Sequence, residues 1–140
     1  MSGVHLRDRK TTDVQYIVTA RELRIELTKF LRNQKNIPKS DRYLIAMPII
    51  EKARELSLSC TAANAVFPVD ERTLAKRKDY LIAAWVAAQQ LQEDLIVCIE
   101  TVQTANVAKL SAVIERLGNL CAMIKAAKKS AKIITRKADC

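Results

Sequence analysis

Residues 107–124 read VAKLSAVIERLGNLCAMI, and the apolar positions Val107, Leu110, Ile114, Leu117, Cys121 and Ile124 alternate three and four apart. That spacing places all six on one side of a helix. Four residues past Ile124 the same stripe reaches Lys128, so the shared core is expected to end there. From residue 125 onward the chain changes character. Residues 125–140 hold six Lys/Arg and one acid, more than half of a net charge of +9. A packed helix running into a cationic extension is the arrangement of a helical bundle that presents positive charge to a polyanion.

The same periodicity extends backwards. Residues 74–98 carry a longer stripe, Leu74, Leu81, Ala84, Ala88, Leu91, Leu95 and Cys98, with Asp70 as the expected N-cap. Ile49, Ala53, Leu56, Cys60 and Ala63 define another helix, with Ser40 as its expected cap. Pro48 lies inside that segment and lacks the N–H that would reach the Leu44 carbonyl. It predicts either a kink or a short first turn followed by a fresh helix. Tyr16, Ala20, Leu23, Leu27 and Phe30 define the first helix, expected from Asp13 to about Gln34. The breaks fall at residues 36–39, at Phe67-Pro68-Val69, and somewhere in 100–105, where Thr101 or Thr104 is the expected cap of the last helix.

With two Gly, three Pro, 49% apolar residues and no alternating β-branched runs, the chain reads as all-α. Four amphipathic helices with short loops predict an antiparallel up-down-up-down four-helix bundle. A three-helix domain with the last two helices fused is the alternative. The expected division is a flexible basic arm over 1–12, the bundle over 13–127, and a basic helical extension or tail over 128–140. At 140 residues the chain is long enough for one domain with a core.

In this topology the chain start, the second turn and the chain end share one pole. Arg7, Arg9 and Lys10 would then converge with Arg72, Lys76, Arg77 and Lys78, and with Lys125, Lys128, Lys129, Lys132, Arg136 and Lys137. Those thirteen cations face six acids, so the expected pole carries +7 of the +9. The plain reading of such a run is a solvated tail; segregation to one pole favours a nucleic-acid or partner surface. Ile133 and Ile134 are the only large apolar residues among the tail lysines, too few for a membrane-inserting face.

Ile82, Trp85 and Val86 lie off the third helix's stripe. A helix apolar on more than one face has more than one packing partner, either a larger core or another subunit. With only 4% aromatic residues in the chain, Trp85 favours a subunit interface.

Catalytic and metal sets are not legible. The one histidine, His5, has no partner for a metal or triad site, and no glycine-rich phosphate loop occurs. Cys60, Cys98, Cys121 and Cys140 show no CxxC spacing, and the first three fall on helix stripes, as reduced core thiols would. The expectation is a non-enzymatic protein without cofactors. The polar amino terminus and the lack of a long apolar run, the best being residues 81–88, predict a soluble cytoplasmic protein with no membrane partner.

Ile37-Pro38-Lys39-Ser40-Asp41-Arg42-Tyr43-Leu44 resembles the Pro-Lys-Ser-x-x-Tyr/Phe entry of a family of small four-helix-bundle proteins. Arg77-Lys78-Asp79-Tyr80-Leu81-Ile82 and Leu117-Gly118 are similar to that family's third and fourth helices. The family includes the accessory variability determinant (Avd) proteins of diversity-generating retroelements and the intervening-sequence proteins encoded within bacterial large-subunit ribosomal RNA genes. The resemblance spans roughly residues 14–129 and rests on short motifs. It implies a homopentameric barrel that binds the element's reverse transcriptase, its template RNA and the complementary DNA during mutagenic copying. Two features depart from the family pattern. Residues 121–125 read Cys-Ala-Met-Ile-Lys where relatives often end in a Gly-Gly-Trp-like sequence, and residues 83–88 lack mid-helix arginines. The expected nucleic-acid contacts therefore shift to residues 72–78 and the carboxy-terminal lysines. The other class left open is an oligomeric scaffold whose basic pole meets an acidic protein, or RNA, without a reverse transcriptase.

Overall fold

The computed structural model describes the backbone of residues 2–134 and the side chains of residues 14–134. Among these the chain is helical without strands: α1 (Ser2–Leu31), a short 3-10 turn (Lys39–Asp41) and a π-turn (Arg42–Ala46) leading into α2 (Met47–Ala65), then α3 (Glu71–Thr101) and α4 (Val107–Ser130). α2 packs on α1 and α3, and α4 packs on α3 and α1. One core joins all four helices. It is built from Leu23, Leu27, Ile49, Leu56, Leu81, Leu91, Leu95, Leu110 and Leu117 among others, all at most 1% exposed.

Helix α1 begins at Ser2, not at Asp13, so the backbone of the expected arm is helical. Residues 4–12 contain neither Gly nor Pro, and nothing in the sequence stops the helix propagating outward. At its other end the helix stops at Leu31, earlier than Gln34. The Asn36 side-chain amide donates to the Phe30 carbonyl at 2.8 Å and closes the last turn, while Ile37 is buried beneath it.

Ser40 caps nothing. Pro38, extended at φ −58° and ψ 152°, precedes the 3-10 turn instead. The Pro48 alternative of a short turn and a fresh helix holds. Pro48 sits in the first turn of α2, where a missing N–H costs nothing. The preceding π-turn, with the Met47 N–H donating to the Arg42 carbonyl, widens the helix ahead of the proline ring.

The second turn follows the sequence. Pro68 keeps Phe67 out of helical space, and Asp70 caps α3. The last loop does not: Val102 is buried, and the cap of α4 is Asn106, whose side chain accepts from the Lys109 N–H at 3.0 Å. Thr101 instead returns its hydroxyl to the Val97 carbonyl at 2.7 Å. Helix α4 buries Val113 and Leu120, whereas Val107 is 53% exposed and Ile114 only half-buried. The stripe is rotated from the one expected, because Leu110, Leu117 and Ile124 belong to both three–four registers. α4 also continues to Ser130, beyond the expected end of the bundle at 127.

Polar side chains fix the helices against one another. Glu26, late in α1, holds Lys109 at 3.0 Å and Arg116, both early in α4. Thr19, earlier in α1, reaches Met123 late in α4 at 3.9 Å. Gln92 donates to the Ile114 carbonyl at 2.9 Å, and Lys52 of α2 donates to Gln90 of α3 at 2.8 Å. Partial burial pushes the Glu26 carboxyl up, but hydrogen bonds from Lys109 and Arg116 outweigh it and hold the group below the usual glutamate value. A depressed folded value stabilises above the ordinary 4.5 and loses its contribution as pH falls through the folded value. Glu26→Gln should therefore flatten the acid limb of a stability–pH curve by less than about 1 kcal/mol, measured by thermal melts below pH 5.

Candidate nucleic-acid interface

The cationic pole is built on the turn between α2 and α3. Asp70 Oδ1 accepts from the Thr73 N–H at 2.8 Å, and Thr73 Oγ1 accepts from the Asp70 N–H at 3.0 Å, a reciprocal capping box. Those hydrogen bonds from Thr73 hold the exposed Asp70 carboxyl below its ordinary value. The N-terminus of α3 is thus satisfied by its own chain, and the positive charge offered to solvent here comes from side chains.

Arg72 and Lys76 are exposed on the first turns of α3. Arg77 is half-buried and turns back, donating through Nη1 to the Val66 carbonyl at 3.1 Å. Lys78 is also half-buried. Arg77 thus braces the turn as well as adding charge. Beneath it Tyr16 is 3% exposed, and its hydroxyl has no hydrogen-bond partner among the described residues. Burial pushes that phenol up, with the Arg77 charge opposing.

The chain end arrives at the same place. After Ser130 the backbone leaves the helix, and the Ile134 N–H donates to the Pro68 carbonyl at 2.9 Å. Lys125, Lys129 and Lys132 are exposed and Lys128 is half-buried. The chain end thus meets the turn that precedes Arg72, Lys76, Arg77 and Lys78. Across residues 66–79 and 125–134, eight Lys/Arg stand against three acids. Arg136 and Lys137 lie outside the described residues, as do the side chains of Arg7, Arg9 and Lys10.

Charge is not confined to this pole. Thr104 Oγ1 donates to the Asn36 carbonyl at 3.5 Å, bringing the first and third connections together at the other end. Arg32, Lys35, Lys39, Arg42 and Lys109 lie there with Asp41 and Glu100. The helices between hold six cations and seven acids among the described residues. Both ends are positive and the waist is nearly neutral, with the second-turn pole the stronger.

Ile82, Trp85 and Val86 are 43%, 39% and 39% exposed, outside the core as their position off the stripe predicts. Ile96 and Val97 are exposed nearer the other end of α3, separated from that patch by the exposed Gln89, Gln90 and Glu93. Sequence reading missed two surfaces. Tyr43 and Leu44 are 77% and 80% exposed, because the π-turn sets them outside. Phe67 and Val69, read only as a break, stand half-exposed beside Ile133 and Ile134.

Cys60, Cys98 and Cys121 are free thiols in the core. Burial pushes the Cys60 thiol up to about 12, so it stays protonated and unreactive at neutral pH. No group of three or more His, Cys, Asp or Glu suited to a metal occurs among the described residues. A groove of about 770 Å³ between α2 and α3 is lined by Glu51, Arg54, Glu55, Leu58 and Tyr80, with mixed charge and no buried nucleophile. No helix among the described residues is long and apolar enough to cross a membrane. Comparison with protein-family models, with curated proteins and with solved structures finds no match to this chain.

Proposed function

We propose that this protein is a non-enzymatic accessory subunit of a reverse-transcriptase ribonucleoprotein. It binds template RNA and complementary DNA through its cationic pole, and holds the polymerase near them during the mutagenic copying of a diversity-generating retroelement. The protomer is an antiparallel up-down-up-down bundle, five copies assemble through the apolar side of α3, and the complex works in the cytoplasm. The observation that carries the reading is the meeting of two Lys/Arg-rich segments at one pole, eight cations against three acids, tied by Ile134 to Pro68. Phosphate contacts of this kind hold a strand without reading its bases, which suits a subunit that must stay on a template of any sequence.

The test is reconstitution. Purified alone, the protein should bind RNA and DNA with affinity falling steeply between 50 and 200 mM salt. With a retroelement reverse transcriptase and its template RNA, it should be required for complementary-DNA synthesis. A polymerase that makes the same product without it ends the accessory role. Nucleic-acid binding without any polymerase partner leaves the oligomeric scaffold reading in its place.

A further inference from the structure

We propose that the first connection, at the end of the bundle away from the cationic pole, is a second nucleic-acid site that takes unpaired strand, with Tyr43 stacking on a base while Lys39 and Arg42 hold the neighbouring phosphates. This rests on the nucleic-acid reading above and adds a second place and a second form of strand. Residues 32–44 carry four Lys/Arg against one acid, whereas residues 66–79 carry four against three. Arg32, Lys35, Lys39 and Arg42 are all exposed, and the one acid, Asp41, is half-buried. Beside them stand Tyr43 and Leu44, 77% and 80% exposed, the two most exposed large apolar side chains among the described residues. The Tyr43 side chain has no hydrogen bond or ring contact among the described residues, so both ring faces are open. The second turn differs, because the strap of residues 131–134 lies against it, tied by the bond from the Ile134 N–H to the Pro68 carbonyl.

The fold sets this surface out and holds it there. Ile37 and Ala46, each 3% exposed, anchor the segment in the core on either side. Between them run the 3-10 turn and the π-turn, whose wider course leaves Tyr43 and Leu44 outside. The Asn36 amide donates to the Phe30 carbonyl at 2.8 Å, and the Lys35 N–H donates to Asn33 Oδ1 at 2.9 Å. The Asp41 N–H donates to the Pro38 carbonyl at 2.9 Å. Little backbone ordering therefore remains to be done on binding. A duplex presents phosphates outward and keeps its base faces stacked on one another, so cations alone serve it. An unpaired strand presents phosphates and free base faces together, and an exposed ring amid cations complements both, whatever the sequence. A copying complex holds its template before pairing and after it, and two ends with different surfaces suit those two forms. An anionic membrane fits less well, because two adjacent residues on a turn are not the apolar face of an amphipathic helix.

The experiment uses the full chain. Fluorescence anisotropy compares Tyr43→Ala and Tyr43→Phe with the unchanged protein on a labelled oligouridine of about 20 nucleotides and on a duplex of equal length. Circular dichroism checks the fold and light scattering the mass. Tyr43→Ala should weaken oligouridine binding about fivefold or more and duplex binding by less than about twofold, while Tyr43→Phe keeps the single-strand affinity. The comparison is repeated with Arg72→Glu and Lys76→Glu in place, which weakens the competing pole, and the loss on oligouridine should be at least as large there. Equal loss on both ligands, or no loss on oligouridine in either background, overturns the stacking site and leaves the nucleic-acid reading of the cationic pole intact. A smaller assembly for Tyr43→Ala also overturns it, because this surface would then be a subunit contact. Unchanged protein that binds neither ligand at low salt overturns the proposed function itself, and this site with it.

Discussion

Removing residues 125–140 lowers the net charge from +9 to +4 and is expected to weaken nucleic-acid binding by at least about tenfold at 0.1 M salt. Each phosphate contact contributes about 0.7–0.9 to the slope of log affinity against log salt, so losing several both weakens the complex and flattens its salt dependence. The fold should survive. Ile124, 1% exposed, is the last fully buried residue of α4, and past it only Ala127 packs partly on the core. The truncation also removes the strap over Pro68, which leaves the turn held by the Asp70–Thr73 box and Arg77. Helicity by circular dichroism should fall only by the residues deleted, while salt-titrated anisotropy shows the loss. Reversing Arg72 and Lys76 to Glu should weaken duplex binding through the same pole. Reversing Lys35 and Lys39 should matter less, since that end carries five cations against two acids rather than eight against three. Equal effects from both ends would mean that the pole is not the principal binding surface.

The parts of this molecule legible in the sequence are those decided by local pattern. The α3 stripe survives almost intact because six of its seven residues, from Leu81 to Cys98, meet the core on a single helix with no break. Asp70 is legible because a cap three residues before Thr73 satisfies α3's own N–H groups. The misses share a cause. The α4 register could not be chosen because Leu110, Leu117 and Ile124 fit two stripes, and only contact with α1 and α3 buries Val113 and Leu120 over Val107 and Ile114. The π-turn before Pro48 is a backbone adjustment that no apolar spacing records, and it is what leaves Tyr43 and Leu44 outside. The Lys/Arg residues of the pole were legible individually. The approach of Ile133 and Ile134 to the turn that carries Phe67 and Val69 was not, because Pro68 and Ile134 are far apart in the chain and only the fold makes them neighbours.

The unchanged protein should be an oligomer near five times 15.7 kDa at micromolar concentration, and Trp85→Glu with Val86→Glu should reduce it to a 15.7 kDa monomer of unchanged helicity. Ile82, Trp85 and Val86 are about 40% exposed, and Ile96 and Val97 are exposed further along α3, beyond the exposed Gln89, Gln90 and Glu93. The patch at Ile82, Trp85 and Val86 is the kind of exposed apolar surface that a subunit partner would cover. In the proposed interface Trp85 would be the anchor, because a large aromatic desolvated at the centre of an interface costs about 2 kcal/mol or more when truncated. A glutamate there would bury an unpaired charge in the assembled ring while remaining solvated in the free protomer, so the substitution acts on assembly rather than on folding. Light scattering coupled to size-exclusion chromatography reads the mass directly. Assembly also multiplies the cationic pole. A ring of five, as proposed, would present forty Lys/Arg from residues 66–79 and 125–134 against fifteen acids, and linked sites would raise avidity well beyond one protomer's affinity. The Glu variant should therefore lose nucleic-acid binding along with mass, although no phosphate-contacting residue has changed. A monomeric mass for the unchanged protein would remove both the interface and the avidity argument. An oligomer that persists in the double variant would move the interface elsewhere, with the exposed Tyr43 and Leu44 as the next surface to substitute.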